Sequence, residues 1–152
     1  MAHMHYKGTG KIHSFRGLLA DGEERKIRIQ GSVGAIAWRI RTLQGINETP
    51  GIGDVEYIIK VYRESQSSID GVINFGDTDL IACYFQAIGE ERRGPGPISI
   101  VDRVLFNRNI FVTAADVAGS ANINYYIELE EVKVGKSGMA QLAVAAARRT
   151  KD

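Results

Sequence analysis

Cysteine is nearly absent from this chain: Cys83 is the single thiol in 152 residues. An intrachain disulfide is therefore excluded, and with it a secreted mini-domain stapled by bridges. Within LIACYFQAI, Cys83 reads as a small core residue rather than a reactive thiol. A lone cysteine favours a reducing compartment, or a particle assembled inside a cell. Long apolar runs are also missing. None approaches the roughly 18 residues of a membrane span, so no membrane partner is expected. The start, MAHMHYKG, lacks the hydrophobic region of a signal peptide. An excess of either sign of charge is missing too: 19 Lys and Arg against 18 Asp and Glu leave a formal net of +1, so no global basic field argues for nucleic acid. Histidine is limited to His3, His5 and His13. No Cys/His set has zinc spacing, and a metal-holding barrel enzyme lacks its ligands. No cofactor is expected.

What is present is strand material. A chain of this length is one domain and buries about 70% of the surface its unfolded form exposes. Eight segments have strand character: 9–19, 24–31, 35–44, 55–63, 80–88, 98–106, 109–113 and 122–134. Residues 9–19 and 24–31 flank Asp21-Gly22, which predicts a hairpin. In 35–44, Ile36, Trp38 and Ile40 share one face and Arg39 and Arg41 the other. In 55–63, Val55, Tyr57, Ile59 and Val61 line up against Glu56 and Lys60. LIACYFQAI is apolar on both faces and reads as a central strand. Between the segments lie polar loops rich in Gly, Ser, Asn and Asp; 64–79 is long enough to hide a short strand or a helical turn. The expectation is an all-β antiparallel sandwich, jelly-roll-like, with about eight strands.

The two ends differ from this body. Residues 1–8 read as an N-terminal arm, 9–135 as the β-sandwich domain and 136–152 as a C-terminal helical tail. In the tail, Met139, Leu142, Ala143 and Ala146 recur at helical spacing, and Ser137 is a candidate cap. A helix of about fifteen residues is marginal alone in water, so this one needs a surface to pack on, its own domain or a neighbour. It is expected to serve assembly.

Several stretches bear on chemistry. GTGK, 8–11, has the look of a phosphate loop, but His5 stands where the first glycine belongs and Ile12 where Ser or Thr belongs; it reads as an edge strand. Asp70, Asp77 and Asp79 offer oxygen ligands for calcium, without the glycine and distal glutamate of a calcium loop; solvated carboxylates are the default. Glu128 and Glu130 fall about 7 Å apart on one strand face, a spacing met in glycoside hydrolysis but equally that of a wet strand face. No catalytic residue is assigned. In a hairpin of 24–31 with 35–44, Lys26, Arg28, Arg39 and Arg41 would form one row of cations. That row could meet phosphates or an acidic neighbouring subunit, or serve as a solvated face that blunts aggregation. Arg148, Arg149 and Lys151 at the end of the tail suit the helix dipole and carry the same alternatives.

The most regular stretch is NINYYIELEEVKV, 122–134. Ile123, Tyr125, Ile127 and Leu129 alternate with polar residues, then Val132 and Val134 fall out of phase. Keeping one apolar side inward predicts a β-bulge near Glu130–Glu131. With its short following tail, and above all in IELEEV (Ile127 to Val132), this strand resembles the closing strand of small virion structural proteins of bacteriophages. The likeness covers the last fifth of the chain. It implies a coat, decoration or tail subunit with a β-sandwich fold and no enzymatic role, and it carries over no functional residue. The expected partners are copies of itself and other virion proteins, with nucleic acid optional; the expected location is the virion, assembled in the host cytoplasm. The alternative is a carbohydrate- or other ligand-binding module, for which an exposed planar row of Tyr62, Tyr84 and Tyr126 would be diagnostic.

Overall fold

A computed structural model describes residues 8–29, 36–51, 53–89 and 96–135. Of the expected arm 1–8, residues 1–7 lie outside the described residues and Gly8 opens the first strand; the tail with Met139, Leu142, Ala143, Ala146, Arg148, Arg149 and Lys151 also lies outside them. The strands are β1 (Gly8–Leu19), β2 (Glu23–Ile27), β3 (Ile36–Asn47), β4 (Val55–Tyr62), β5 (Leu80–Ile88), β6 (Ile98–Val101), β7 (Ile110–Asp116) and β8 (Ile123–Lys133). They form two antiparallel sheets packed face to face, sheet A in the order β1-β8-β3 and sheet B in the order β2-β7-β4-β5-β6. The all-β sandwich read from the sequence is therefore correct.

The pairing is nested. First pairs with last (β1 with β8), second with seventh (β2 with β7) and fourth with fifth. The third position is shared: residues 98–106, expected as one strand, split. Ile98–Val101 pairs with β5, and Phe106 then bridges Trp38 on β3. Ser99 Oγ donates to the Leu43 carbonyl at 2.7 Å, closing the seam between β3 and β6. The result is a long double ribbon rolled over on itself, the jelly-roll arrangement.

The core follows from alternation. β8 supplies Ile123, Tyr125, Ile127 and Leu129, all buried, and β4 supplies Val55, Tyr57, Ile59 and Val61 opposite them. Each such aliphatic side chain contributes about 1.5–3 kcal/mol by leaving water. Tyr57 and Tyr84 stack at 6.0 Å, and both hydroxyls turn to Gln86 Oε1, at 2.6 and 3.3 Å. Burial pushes the Tyr57 phenol well above its ordinary range, and the Tyr84 hydroxyl beside it adds to the rise. Tyr125 occupies the middle of sheet A between Gly17 on β1 and Gly45 on β3. A Cβ on Gly45 would run into Ile59 Cδ1 and come within 3.2 Å of Tyr57.

Two expectations about turns fail, for physical reasons. Asp21-Gly22 does turn, with Gly22 at φ 80° and Glu23 N donating to Ala20 O at 3.0 Å. It joins no hairpin, because its groups are committed to β7: Gly22 N donates to Ala114 O at 2.8 Å, and Asp21 Oδ1 accepts from Asp116 N at 2.9 Å. The turn is a corner between the sheets. The bulge expected at Glu130–Glu131 is also absent. β3 and β8 pair without slip from Ile36↔Lys133 to Ile40↔Leu129. The irregularities lie in the neighbours instead, at Arg41 on β3 and between Gly8 and Ile12 on β1. β8 keeps its alternation, so Val132 and Val134 change face and join Ala37 and Leu105 in a second apolar cluster.

Gly45→Ala is expected to destabilise the fold by about 1–3 kcal/mol through overpacking against Ile59, read as a lowered urea midpoint with an unchanged slope.

Candidate functional site

Because β8 is paired on both sides, its outward residues sit in cross-strand rows that can be read from the register. Passing along the outer face of sheet A, the rows are Leu18–Asn124–Ile46, Arg16–Tyr126–Gln44, Ser14–Glu128–Thr42 and Ile12–Glu130–Arg39. The first two rows line a groove of about 650 Å³. Tyr126 is half-buried at its centre, and its hydroxyl donates to Glu128 Oε2 at 3.2 Å. Leu18 and Ile46 are exposed. In the last row Arg39 Nη2 pairs with Glu130 Oε2 at 3.1 Å. Glu128 and Glu130 thus hold a tyrosine and an arginine on an outer face, as a wet strand face does.

The proposed row of four cations is not assembled. β2 belongs to sheet B and β3 to sheet A, so no 24–31/35–44 hairpin exists. Lys26 stands opposite Phe111 on β2, Arg28 follows the strand, and both are exposed. Arg39 faces outward from the other sheet and is ion-paired. Arg41, pushed out at the irregularity of β3, borders a separate groove of about 550 Å³ along the β3/β6 seam with Tyr84 and Ser99. The hairpin signal at Asp21-Gly22 invited sequential pairing of neighbouring strands, and the nested topology overrides it.

Part of the outer face of sheet B, around Lys60 on β4 and Glu24 on β2, is covered by residues 64–79, the stretch expected as a long loop. This strap contains turns and bends but no strand or helix. Two anchors hold it. Glu24 on β2 accepts from Ser65 Oγ at 2.6 Å and from Gln66 N at 2.7 Å. Lys60 on β4 points outward yet is only 3% exposed, its ammonium donating to Asp70 Oδ1 at 3.1 Å and Val72 O at 2.7 Å. The signal for this was present: Lys60 shares its face with Ile58 and Tyr62 in a strand apolar on both sides. The strap takes the place of water around it.

The carboxylates considered for calcium are spent inside the strap. Asp70 is tied to Lys60 and to Val72 N, and Asp77 Oδ1 accepts from Asp79 N at 2.9 Å. Among the described residues no three His, Cys, Asp or Glu side chains could hold a metal ion. The Val72 amide, and then Lys60, hold the Asp70 carboxyl below its usual range, while burial pushes Asp79 up.

The other residues singled out are placed as follows. GTGK opens β1 at an edge of sheet A, as read. His13 lies edge-on to Trp38 at 4.9 Å and 3.5 Å from Glu131 Oε1. Cys83 is buried, and burial raises its thiol. Tyr62 and Tyr84 are buried, so no planar row of three tyrosines exists. Sequence reasoning missed Asp116, whose buried carboxylate accepts from the amides of Glu56, Ala118 and Ala121 at 3.0–3.1 Å and shapes the turn into β8.

Family models, curated proteins and solved structures were all compared with the chain, and none matches it.

Lys60→Met is expected to leave the sandwich melting temperature within a few degrees while amide exchange in 64–79 accelerates about tenfold or more. A pH dependence follows from Asp70. Its folded pKa is depressed, so its contribution is complete above the unfolded value of about 4 and is lost as pH falls through the folded value. Protection factors in the strap, which divide out the intrinsic pH dependence of amide exchange, should therefore fall on going from about pH 6 to about pH 3, and Asp70→Asn should flatten that fall.

Proposed function

We propose that this chain is a non-enzymatic structural subunit of a viral particle, a capsid, decoration or tail component that self-assembles through its jelly-roll sandwich and terminal arms. The observation that carries the proposal is the apolar strip on the outer side of sheet B. Val117 packs by Gly71 and Ile58, Ile58, itself buried, pairs with Phe85, and Phe85 pairs with Ile98, with Ile100 two residues along the same strand. Val117, Ile98 and Ile100 are large, apolar and exposed, and Val72 and Phe75 on the strap are more exposed still. Clustered exposure of this kind marks a surface meant to be covered. A copy of the same subunit, or another virion protein, is the partner that the resemblance of the last strand suggests. Host cytoplasm is then the place of assembly and the virion the final location. The lone buried thiol suits that route.

The competing reading, a carbohydrate- or other ligand-binding module, loses the row of three tyrosines on which it depended. It keeps Tyr126 alone.

The expected result is a defined oligomer at micromolar concentration, measured by native mass spectrometry and electron microscopy. The double substitution Ile100→Asp with Val117→Asp lies on exposed positions; it should weaken self-association by about a hundredfold or more while leaving the circular dichroism spectrum unchanged. A wild-type protein that stays strictly monomeric at that concentration would contradict the assembly reading.

A further inference from the structure

The groove on sheet A lies on the opposite side of the sandwich from the strip just assigned to assembly. Its lining is chemically specific. Tyr126 stands at the centre, with Arg16 on one side and Gln44 on the other, each about 5 Å away across the strands. The next row places Asn124 between Leu18 and Ile46. The Tyr126 hydroxyl is occupied by Glu128, which restrains the ring. The side chains of Arg16, Gln44 and Asn124 are engaged in no hydrogen bond or ion pair among the described residues.

We propose that this groove is a saccharide-binding site. An aromatic face bordered by aliphatic groups receives the C–H face of a pyranose ring, while two amides and a guanidinium offer both donors and acceptors to its hydroxyls. Other occupants fit less well. A flat apolar protein surface would bury three polar side chains without partners. A polyanion would meet, among the described residues lining the groove, one cation, Arg16, with the Glu128 carboxylate in the adjoining row. A small apolar ligand needs more enclosure than an open sheet face gives. The site is independent of the assembly reading: it faces the other way and shares no residue with the strip.

The test is a titration of the intact protein with purified oligosaccharides, followed by amide chemical shifts and calorimetry. One arm uses neutral hexose oligomers and the other uronic-acid oligomers. The expected result is saturable binding in at least one arm, with shifts centred on Arg16, Gln44, Asn124 and Tyr126. Tyr126→Ala should weaken binding about tenfold or more, whereas Tyr126→Phe should stay within about threefold, since the hydroxyl is already committed to Glu128. Asn124→Ala, which removes no aromatic packing, should weaken binding by several-fold and covers the case in which Tyr126→Ala fails to fold. No saturable binding in either arm would overturn the proposal. So would unchanged affinity in Asn124→Ala and Tyr126→Ala, or concentration-dependent broadening at the groove without sugar, which would mean that a second copy fills it. None of these outcomes depends on whether Ile100→Asp with Val117→Asp disperses the oligomer.

Discussion

Strand β8 is hydrogen-bonded along both edges, and most of the molecule is arranged by that constraint. A strand paired on one edge can bulge to correct its phase. A strand paired on both would have to disturb two ladders at once. β8 therefore runs straight, and its neighbours absorb the irregularity, at Arg41 on one side and between Gly8 and Ile12 on the other. The cost is that its apolar residues change face after Leu129. The return is two separate apolar clusters on opposite faces of one sheet, and outward rows ordered well enough to form a groove around Tyr126.

Much of this was legible from residue order. Each of the eight segments overlaps an observed strand, and 80–88 coincides with β5 residue for residue. Period two is a strong signal when one face is dry, and it correctly placed Ile123 to Leu129 and Val55 to Val61 in the core. Partnership was not legible. Asp21-Gly22 encodes a tight turn, but whether its flanks pair with each other or with distant strands depends on β7 and β8, which lie far along the chain. The cation row failed in the same way: it required a hairpin of 24–31 with 35–44, and β2 and β3 lie in different sheets. The phase break at Glu130–Glu131 was read as geometry when it was composition: the strand stays regular and the dry side moves.

Lys60 shows the other limit. A lysine on a strand normally indicates water, yet this one is enclosed because sixteen or so residues without regular structure fold back over it. Its ammonium does not stabilise the core so much as give the strap one position, and Glu24 gives it a second. Asp116 plays a similar part at the entry to β8 by accepting from three amides. Such anchors are single polar residues within ordinary strands and turns. Their role emerges only when the chain they hold is brought next to them.

The nested pairing also dictates a timetable. Leu19 meets Ile123, and every partner of β1 lies more than a hundred residues downstream. On a ribosome, β1 emerges long before β8 is made, so sheet A cannot close until β8 has followed. Until then β4 and β5, which can pair early, present an uncovered apolar face to the cell. Any two copies that meet in that interval do so with the same strands exposed. Slow closure of the first and last strands, more than the stability of the finished sandwich, then decides how much of the product is usable.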